Sequence, residues 1–259
     1  MIPFFQVNAI ILGPVTIQVW GFFVAIGMLA GILLSRVLAK KIFLSPEVIL
    51  DFSIWALIGG VVGARLGHVF FYTPTYYFAN PVEILFLWQG GMSSLGGFIG
   101  ALVAIFIFSK KRGFTWAELL PYFDVLSLGL WLGWAIGRIG CFMIHDHIGR
   151  LTDSFLSVSF TGGARFDLGL LESILAFVVF VVFVSIWKKI IKKRWGLVFV
   201  YSFVIYAIAR FFLDFLRATD LQQTDVRYFS LTPMQWGIVL FLLGLTVYKV
   251  YSRILKRKS

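Results

Sequence analysis

Tyr206, Arg210, Asp214 and Arg217 are spaced four, four and three apart within an otherwise apolar run. At about 100° per residue this spacing predicts one polar stripe along a helix. Arginine stays charged in a low-dielectric setting, and its planar fork matches the oxygens of a phosphate. Asp214 is placed to pair with either arginine and hold its fork in position, leaving donors for an anion. The same stripe also reads as a self-satisfied ion-pair ladder, which needs no ligand. Two more arginines, Arg65 and Arg138, stand alone in other apolar runs.

These cations sit in a chain that is 60% hydrophobic and 14% charged. Such a composition cannot cover a soluble globule with polar surface. Seven apolar runs, each near the ~20 residues a helix needs to cross a bilayer, are expected at Val15 to Leu34, Ile49 to Tyr72, Ile84 to Phe108, Leu119 to Met143, Leu168 to Trp187, Gly196 to Phe215 and Pro233 to Tyr248. We therefore expect an all-α polytopic membrane protein forming one domain over residues 1–259. No charged side chain precedes Arg36, so the basic region that opens a signal peptide is missing and Met1 to Phe5 is expected in the mature protein.

Basic clusters follow the first run (Arg36, Lys40, Lys41), the third (Lys110, Lys111, Arg112), the fifth (Lys188, Lys189, Lys192, Lys193, Arg194) and the seventh (Arg253, Lys256, Arg257, Lys258). Positive charge marks the cytoplasmic side, which predicts an outside N-terminus and a cytoplasmic C-terminus. That placement accounts for most of the net charge of +11 and argues against a nucleic-acid partner. Apart from Lys249, the remaining basic residues are all arginines: Arg65, Arg138, Arg150, Arg165, Arg210, Arg217 and Arg227. At ~1.5 Å per residue, Arg65, Arg138 and Arg210 lie roughly 20 to 28 Å from the cytoplasmic ends of their helices, in one outer layer of the membrane.

Glycines spaced along the second and fourth runs (Gly59, Gly63, Gly67; Gly129, Gly133, Gly137, Gly140) point to close helix packing. The run Gly90, Gly91, Met92, Ser93, Ser94, Leu95, Gly96, Gly97 permits a broken helix where it lines a cavity. The single cysteine, Cys141, excludes an internal disulfide and a multi-cysteine metal site, and a lone cysteine in an apolar helix is more often packing than nucleophile.

Several of these segments together resemble the bacterial prolipoprotein diacylglyceryl transferase family. GGMSSLGG from Gly90 is similar to the family's GGMSFHGG segment, and GRIGCFMIHDHIG from Gly137 to its GRIGNFINGE signature with a closing glycine, here Gly149. GARLGHVFFY from Gly63, Asp124 before Arg138, YAIARFFLDFLR from Tyr206, and Thr232 with Gln235 extend the likeness over nearly the whole chain. The resemblance implies transfer of diacylglycerol from phosphatidylglycerol to the lipobox cysteine thiol of a prolipoprotein, releasing glycerol phosphate at the bacterial cytoplasmic membrane. It implies no cofactor and no metal. Arg138, Arg210 and Tyr206 take the catalytic positions. Arg65, Arg217, Asp214, Gly90, Gly91, Ser93, Gly96, Gly97, Asp146 and Gly149 take substrate-binding ones.

The chain departs from the pattern at the thiol-handling group, where the family's histidine is Leu95. Cys141 replaces an asparagine, Asp146 a longer acid, Trp20 and His68 two tyrosines, and of the family's Pro-Ser-Gln-Leu-Tyr-Glu segment only Leu170 and Glu172 match. His145 and His147 are candidate replacement bases; both also suit an ordinary surface loop. A related lipid-headgroup transferase with a changed acceptor, and a non-enzymatic homologue that binds anionic lipid, stand as alternatives.

Overall fold

The computed structural model describes residues 1–13, 15–87, 90–221 and 227–258, with the side chains of residues 15, 94, 95 and 248–258 outside that set. In chain order the elements are β1 (Ile2–Pro3), β2 (Ala9–Leu12), β3 (Val15–Gln18), α1 (Val19–Lys40), α2 (Pro46–Phe71), α3 (Pro74–Ala79), a 3-10 turn (Pro81–Leu85), α4 (Ser94–Lys111), α5 (Trp116–Ile144), β4 (Ile148–Leu151), β5 (Val158–Phe160), β6 (Gly163–Asp167), α6 (Leu168–Ile191), α7 (Leu197–Leu213), a 3-10 turn (Asp214–Leu216) and α8 (Pro233–Lys258). Among the described residues, five stretches are long and apolar enough to cross a membrane: α1, α2, α5, α6, and α7 with its 3-10 extension. The protein is thus mostly helical and multi-pass.

The chain divides into two units, residues 32–126 and residues 1–31 with 127–259. In the first, α2 and α4 pack backbone to backbone. A Cβ at Gly63 would lie 2.4 Å from the Gly96 carbonyl oxygen, and one at Gly100 only 2.2 Å from that of Gly59. No side chain fits at these positions, which is the small-residue packing expected for α2. At the end that carries Lys110 and Lys111, Phe52 packs edge-on against Phe108 and Tyr122, with centroids 5.5 and 5.8 Å away.

In the second unit, α1 and α5 approach through Gly27 and Gly133, where an added Cβ on either would meet the other's carbonyl oxygen at 2.4 or 2.6 Å. α6 pairs with α7, and α7 with α8. A capping box starts α8: the Thr232 amide donates to Gln235 Oε1 at 2.9 Å and the Gln235 amide to Thr232 Oγ1 at 3.2 Å. Gln235 Nε2 also donates to the Phe211 carbonyl at 3.0 Å, tying α8 to the end of α7.

The structure corrects the expected all-α fold in three places. A four-stranded sheet ordered β1-β5-β6-β4 occupies the segment between α5 and α6 together with the N-terminus. Its strands are three to five residues long apart from the two-residue β1, too short for a period-2 pattern to stand out. The hairpin β2–β3 takes up Val15–Gln18, so the first helix begins at Val19 instead of Val15. The third expected span, from Ile84, becomes helical only at Ser94, because Gly90 and Gly91 adopt φ of +83° and +75°, a left-handed backbone that ends any preceding regular helix.

Candidate active site

The charged cluster forms where α5, α6 and α7 come together in the second unit. Glu172, in the second turn of α6 and fully buried, joins two arginines: its Oε2 lies 2.8 Å from Arg138 Nη2 and its Oε1 3.0 Å from Arg210 Nη2. Neither carboxylate oxygen is aligned for a hydrogen bond, so the link is held by charge more than by direction. Asp214 continues the chain of pairs. Its Oδ1 is 2.7 Å from both Arg210 Nη1 and Arg217 Nε, and its Oδ2 accepts from the Thr232 hydroxyl. Of the expected helical stripe, Tyr206 and Arg210 lie on α7, whereas Asp214 is in the 3-10 turn and Arg217 follows it in an extended conformation; Asp214 serves both arginines at once.

Tyr206 stands one turn before Arg210. Its hydroxyl accepts from Trp134 Nε1 at 2.8 Å, and its ring centroid is 4.5 Å from that of Trp131. Trp134 also underlies the Arg138 guanidinium, 5.0 Å from the ring centroid, so one tryptophan orients both the tyrosine and the arginine.

The cluster sets three guanidiniums against two carboxylates, a formal excess of one positive charge. Arg210 is 4% exposed, so that charge is poorly screened by water. Two apolar grooves flank α6 beside the cluster. One, about 640 Å³, runs between α6 and α7 past Leu171, Ile174, Leu175, Ala209 and Leu213. The other, about 290 Å³, lies between α5 and α6 along Ala135, Ile139, Ser173 and Phe177.

The end of α5 positions the two candidate histidines differently. The amide of Asp146 donates to the Cys141 carbonyl and that of His145 to the Phe142 carbonyl, each at 3.3 Å, with His145 at φ +52°. This is a Schellman turn with histidine where glycine is usual. His145 Nδ1 lies 2.8 Å from Asp167 Oδ2, Nε2 contacts the Phe5 carbonyl oxygen, and the ring stacks on Phe4. Both of its nitrogens are engaged, which makes His145 a structural anchor for the N-terminal segment. His147 instead turns back toward the cluster. Burial lowers its pKa, with Arg138 and Arg217 adding to the effect and Asp146 opposing it.

Gly149 is held against the 3-10 turn, where a Cβ would lie 2.8 Å from the Leu216 carbonyl oxygen. Arg165 is paired with Asp220 through both Nη atoms, at 3.0 and 2.5 Å.

The remaining expected site residues belong to the unit of residues 32–126. There all five N–H groups of Arg65 are directed at backbone carbonyls, those of Glu83, Ile84, Phe86, Gly90 and Gly91. Gly91 gives Arg65 and His68 room, since a Cβ would stand 2.6 Å from His68 Nε2. Ser93 caps α4 through Gly96, while Gly96 packs on Gly63 and Gly67, and Gly97 faces Ala64. The side chain of Leu95 lies outside the described residues.

Glu172 is the site residue that sequence reasoning left out of the cluster. The signal was available: it is the sole acid in α6, and a lone acid in an apolar span calls for a cation.

Residues 7–251 match the family model described as prolipoprotein diacylglyceryl transferase. A curated relative from Francisella tularensis subsp. holarctica (strain LVS), named phosphatidylglycerol–prolipoprotein diacylglyceryl transferase, is 36% identical over 248 residues, 92% of this chain and 90% of its own length. A protein of the same name from F. tularensis subsp. tularensis (strain SCHU S4 / Schu 4) is 35% identical over 260 residues, 96% of this chain and 95% of its own. With the match spanning nearly all of the sequence, the chain belongs to the prolipoprotein diacylglyceryl transferase family.

Proposed function

We propose that this protein transfers the diacylglyceryl group of phosphatidylglycerol to the lipobox cysteine thiol of a prolipoprotein and releases glycerol phosphate. The observation that carries this reading is the excess of one positive charge that the half-buried Arg138 and Arg217 and the buried Arg210 carry over the buried Glu172 and Asp214. A phosphodiester carries one negative charge and neutralises that excess. Because Glu172 holds the two forks without hydrogen-bond alignment, a phosphate placed between them gains directional bonds that the carboxylate does not make.

The grooves on either side of α6 give the two acyl chains a route to the lipid while the headgroup reaches the arginines. The acceptor sulfur attacks the glycerol carbon that bears the phosphate. As that C–O bond breaks, the phosphate gains a second charge, and Arg138 and Arg210 stabilise it more strongly than in the bound lipid, which lowers the barrier. Tyr206 orients the clamp through Trp134. Arg217 and Asp214 fix the position of Arg210, while Asp146 and His147 border the side open to the acceptor. Gly149 shapes the backbone beside the clamp, and Arg65, Gly90, Gly91, Ser93, Gly96 and Gly97 shape the backbone of their own unit, where the resemblance gives them substrate-binding positions.

In this reading the chain crosses the bacterial cytoplasmic membrane seven times, with α4 and α8 as the further spans and the N-terminus outside. The alternation of basic clusters supports that orientation. Incubating purified protein with labelled phosphatidylglycerol and a lipobox peptide should yield a thioether product and free glycerol phosphate. No product above an Arg138→Ala control would overturn the proposal. The replacement of the family's histidine by Leu95 favours one second reading, a homologue that only binds anionic lipid; it would retain phosphatidylglycerol through purification without consuming it.

A further inference from the structure

We infer that Cys141, Asp146 and His147 form a binding site for one zinc-class divalent cation, which takes up the acceptor cysteine as a thiolate beside the phosphate clamp. The metal site itself stands on geometry alone, and its role with the acceptor rests on the transfer reaction proposed above.

The Schellman turn at the end of α5 brings the three residues together. Its hydrogen bond from the Asp146 amide to the Cys141 carbonyl folds residues 146 and 147 back over the last helical turn. As a result, a ligand atom of each residue, the Cys141 sulfur, an Asp146 carboxylate oxygen and a His147 ring nitrogen, lies within 4.8 Å of the other two. His147 Nε2 and Asp146 Oδ2 are 3.7 Å apart. That is too long for a hydrogen bond, yet close to the edge of a tetrahedron around zinc, roughly 3.3 Å for bonds of about 2.0–2.1 Å. Small side-chain rotations would close the set. His145 is not part of it, because both its ring nitrogens are engaged by Asp167 and Phe5.

The donor types narrow the ion. Calcium and magnesium prefer oxygen ligands, whereas thiolate with imidazole selects zinc and its neighbours. Three protein ligands with an open fourth position are the pattern of a reactive zinc site. Cys141 is buried, while Asp146 is exposed and His147 half-buried, so the open position faces outward. Arg138 stands on the inner side, its Nη1 3.7 Å from the Cys141 sulfur and its Nη2 on Glu172. Thiolate and carboxylate together cancel the charge of the ion, so Arg138 meets no added repulsion.

This arrangement supplies what Leu95 cannot. A metal-coordinated thiol is deprotonated outright. The acceptor sulfur binds the ion and its proton passes to bulk water. The sulfur then forms a C–S bond to the glycerol carbon, and the electron pair of the broken C–O bond goes to the phosphate oxygen held by Arg138 and Arg210. The ion changes neither charge nor oxidation state.

Full-length protein in detergent, stripped with a chelator, is titrated with Zn²⁺ and separately with Co²⁺. One equivalent of each is expected to bind, with a thiolate-to-cobalt absorption band. Cys141→Ser should abolish the band, and His147→Ala should weaken binding by more than the roughly 10- to 100-fold that loss of an outer-shell partner costs. No stoichiometric binding, or equal binding by Cys141→Ser, overturns the site. Transfer activity should fall on stripping and return with Zn²⁺ in the parent but not in Cys141→Ser. Undiminished activity of metal-free protein overturns the thiolate role. Zinc binding that depends on Cys141 in a protein with no transfer under any condition would uphold the metal site and sink the transfer reaction.

Discussion

Replacing Glu172 by glutamine removes the charge that joins Arg138 to Arg210 while keeping the side chain's volume. In the parent the carboxylate is fully buried, with ion pairs of 2.8 and 3.0 Å. Breaking a buried pair by neutralising one partner typically costs about 3–5 kcal/mol, because the other charge is left uncompensated. The buried cluster rises from one excess positive charge to two, which places Glu172→Gln in that range. At roughly 2–4 °C per kcal/mol for a chain of this size, the melting temperature should fall by about 6 °C or more. The same excess charge makes the variant bind an anion more strongly. Adding phosphatidylglycerol to detergent micelles should then raise its melting temperature by more than it raises that of the parent, whereas phosphatidylcholine should not discriminate. Differential scanning fluorimetry across both lipid titrations measures this. An unchanged melting temperature, or the same phosphatidylglycerol shift in both proteins, would refute the idea that Glu172 sets the excess charge that the lipid phosphate neutralises.

The other buried contacts give sharper stability tests. His145→Ala leaves Asp167 without its imidazole partner and should cost about 3 kcal/mol, yet His145→Gly should recover about 1 kcal/mol of that by relieving the left-handed backbone; equal melting temperatures for the two variants would show that φ +52° carries no strain. Thr232→Ala removes both the α8 cap and a hydrogen bond to Asp214 and should cost roughly 2 kcal/mol, read as a lower melting temperature together with a raised KM for phosphatidylglycerol; an unchanged KM would separate α8 from the clamp. Gly100→Ala drives a methyl group to 2.2 Å from the Gly59 carbonyl oxygen and should destabilise by about 1–3 kcal/mol or more, measured by thermal unfolding; a neutral effect would mean that α2 and α4 separate freely.

Much of the clamp was legible because close sequence spacing brought Arg210, Asp214 and Arg217 together, although α7 ends at Leu213 and a 3-10 turn, not a continued helix, delivers the last two. Glu172 is distant in sequence from both arginines it joins, and no periodicity links residues on different helices. The sheet between α5 and α6 was hidden by strand length, since Val158–Phe160 offers only three residues to alternate. The late start of α4 was hidden by composition. Ile84, Leu85, Phe86 and Leu87 are as apolar as a membrane span, but the carbonyls of Glu83, Ile84, Phe86, Gly90 and Gly91 turn toward Arg65 instead of forming a continuous helix. His145 and His147 were indistinguishable as neighbours in one loop. They separate only because a Schellman turn sends one ring to Asp167 and the other back over Cys141.

The central claim is that two arginine forks, and not merely two positive charges, hold the phosphate while the C–O bond breaks. Lysine keeps the charge and loses the fork. The most direct measurement is the rate of thioether formation from labelled phosphatidylglycerol and a lipobox peptide by the parent, Arg138→Lys and Arg210→Lys proteins at saturating lipid. A fall of about 10²-fold or more in kcat for each variant is expected, comparable to losing one transition-state donor. Parent-like kcat in both lysine variants would contradict the claim.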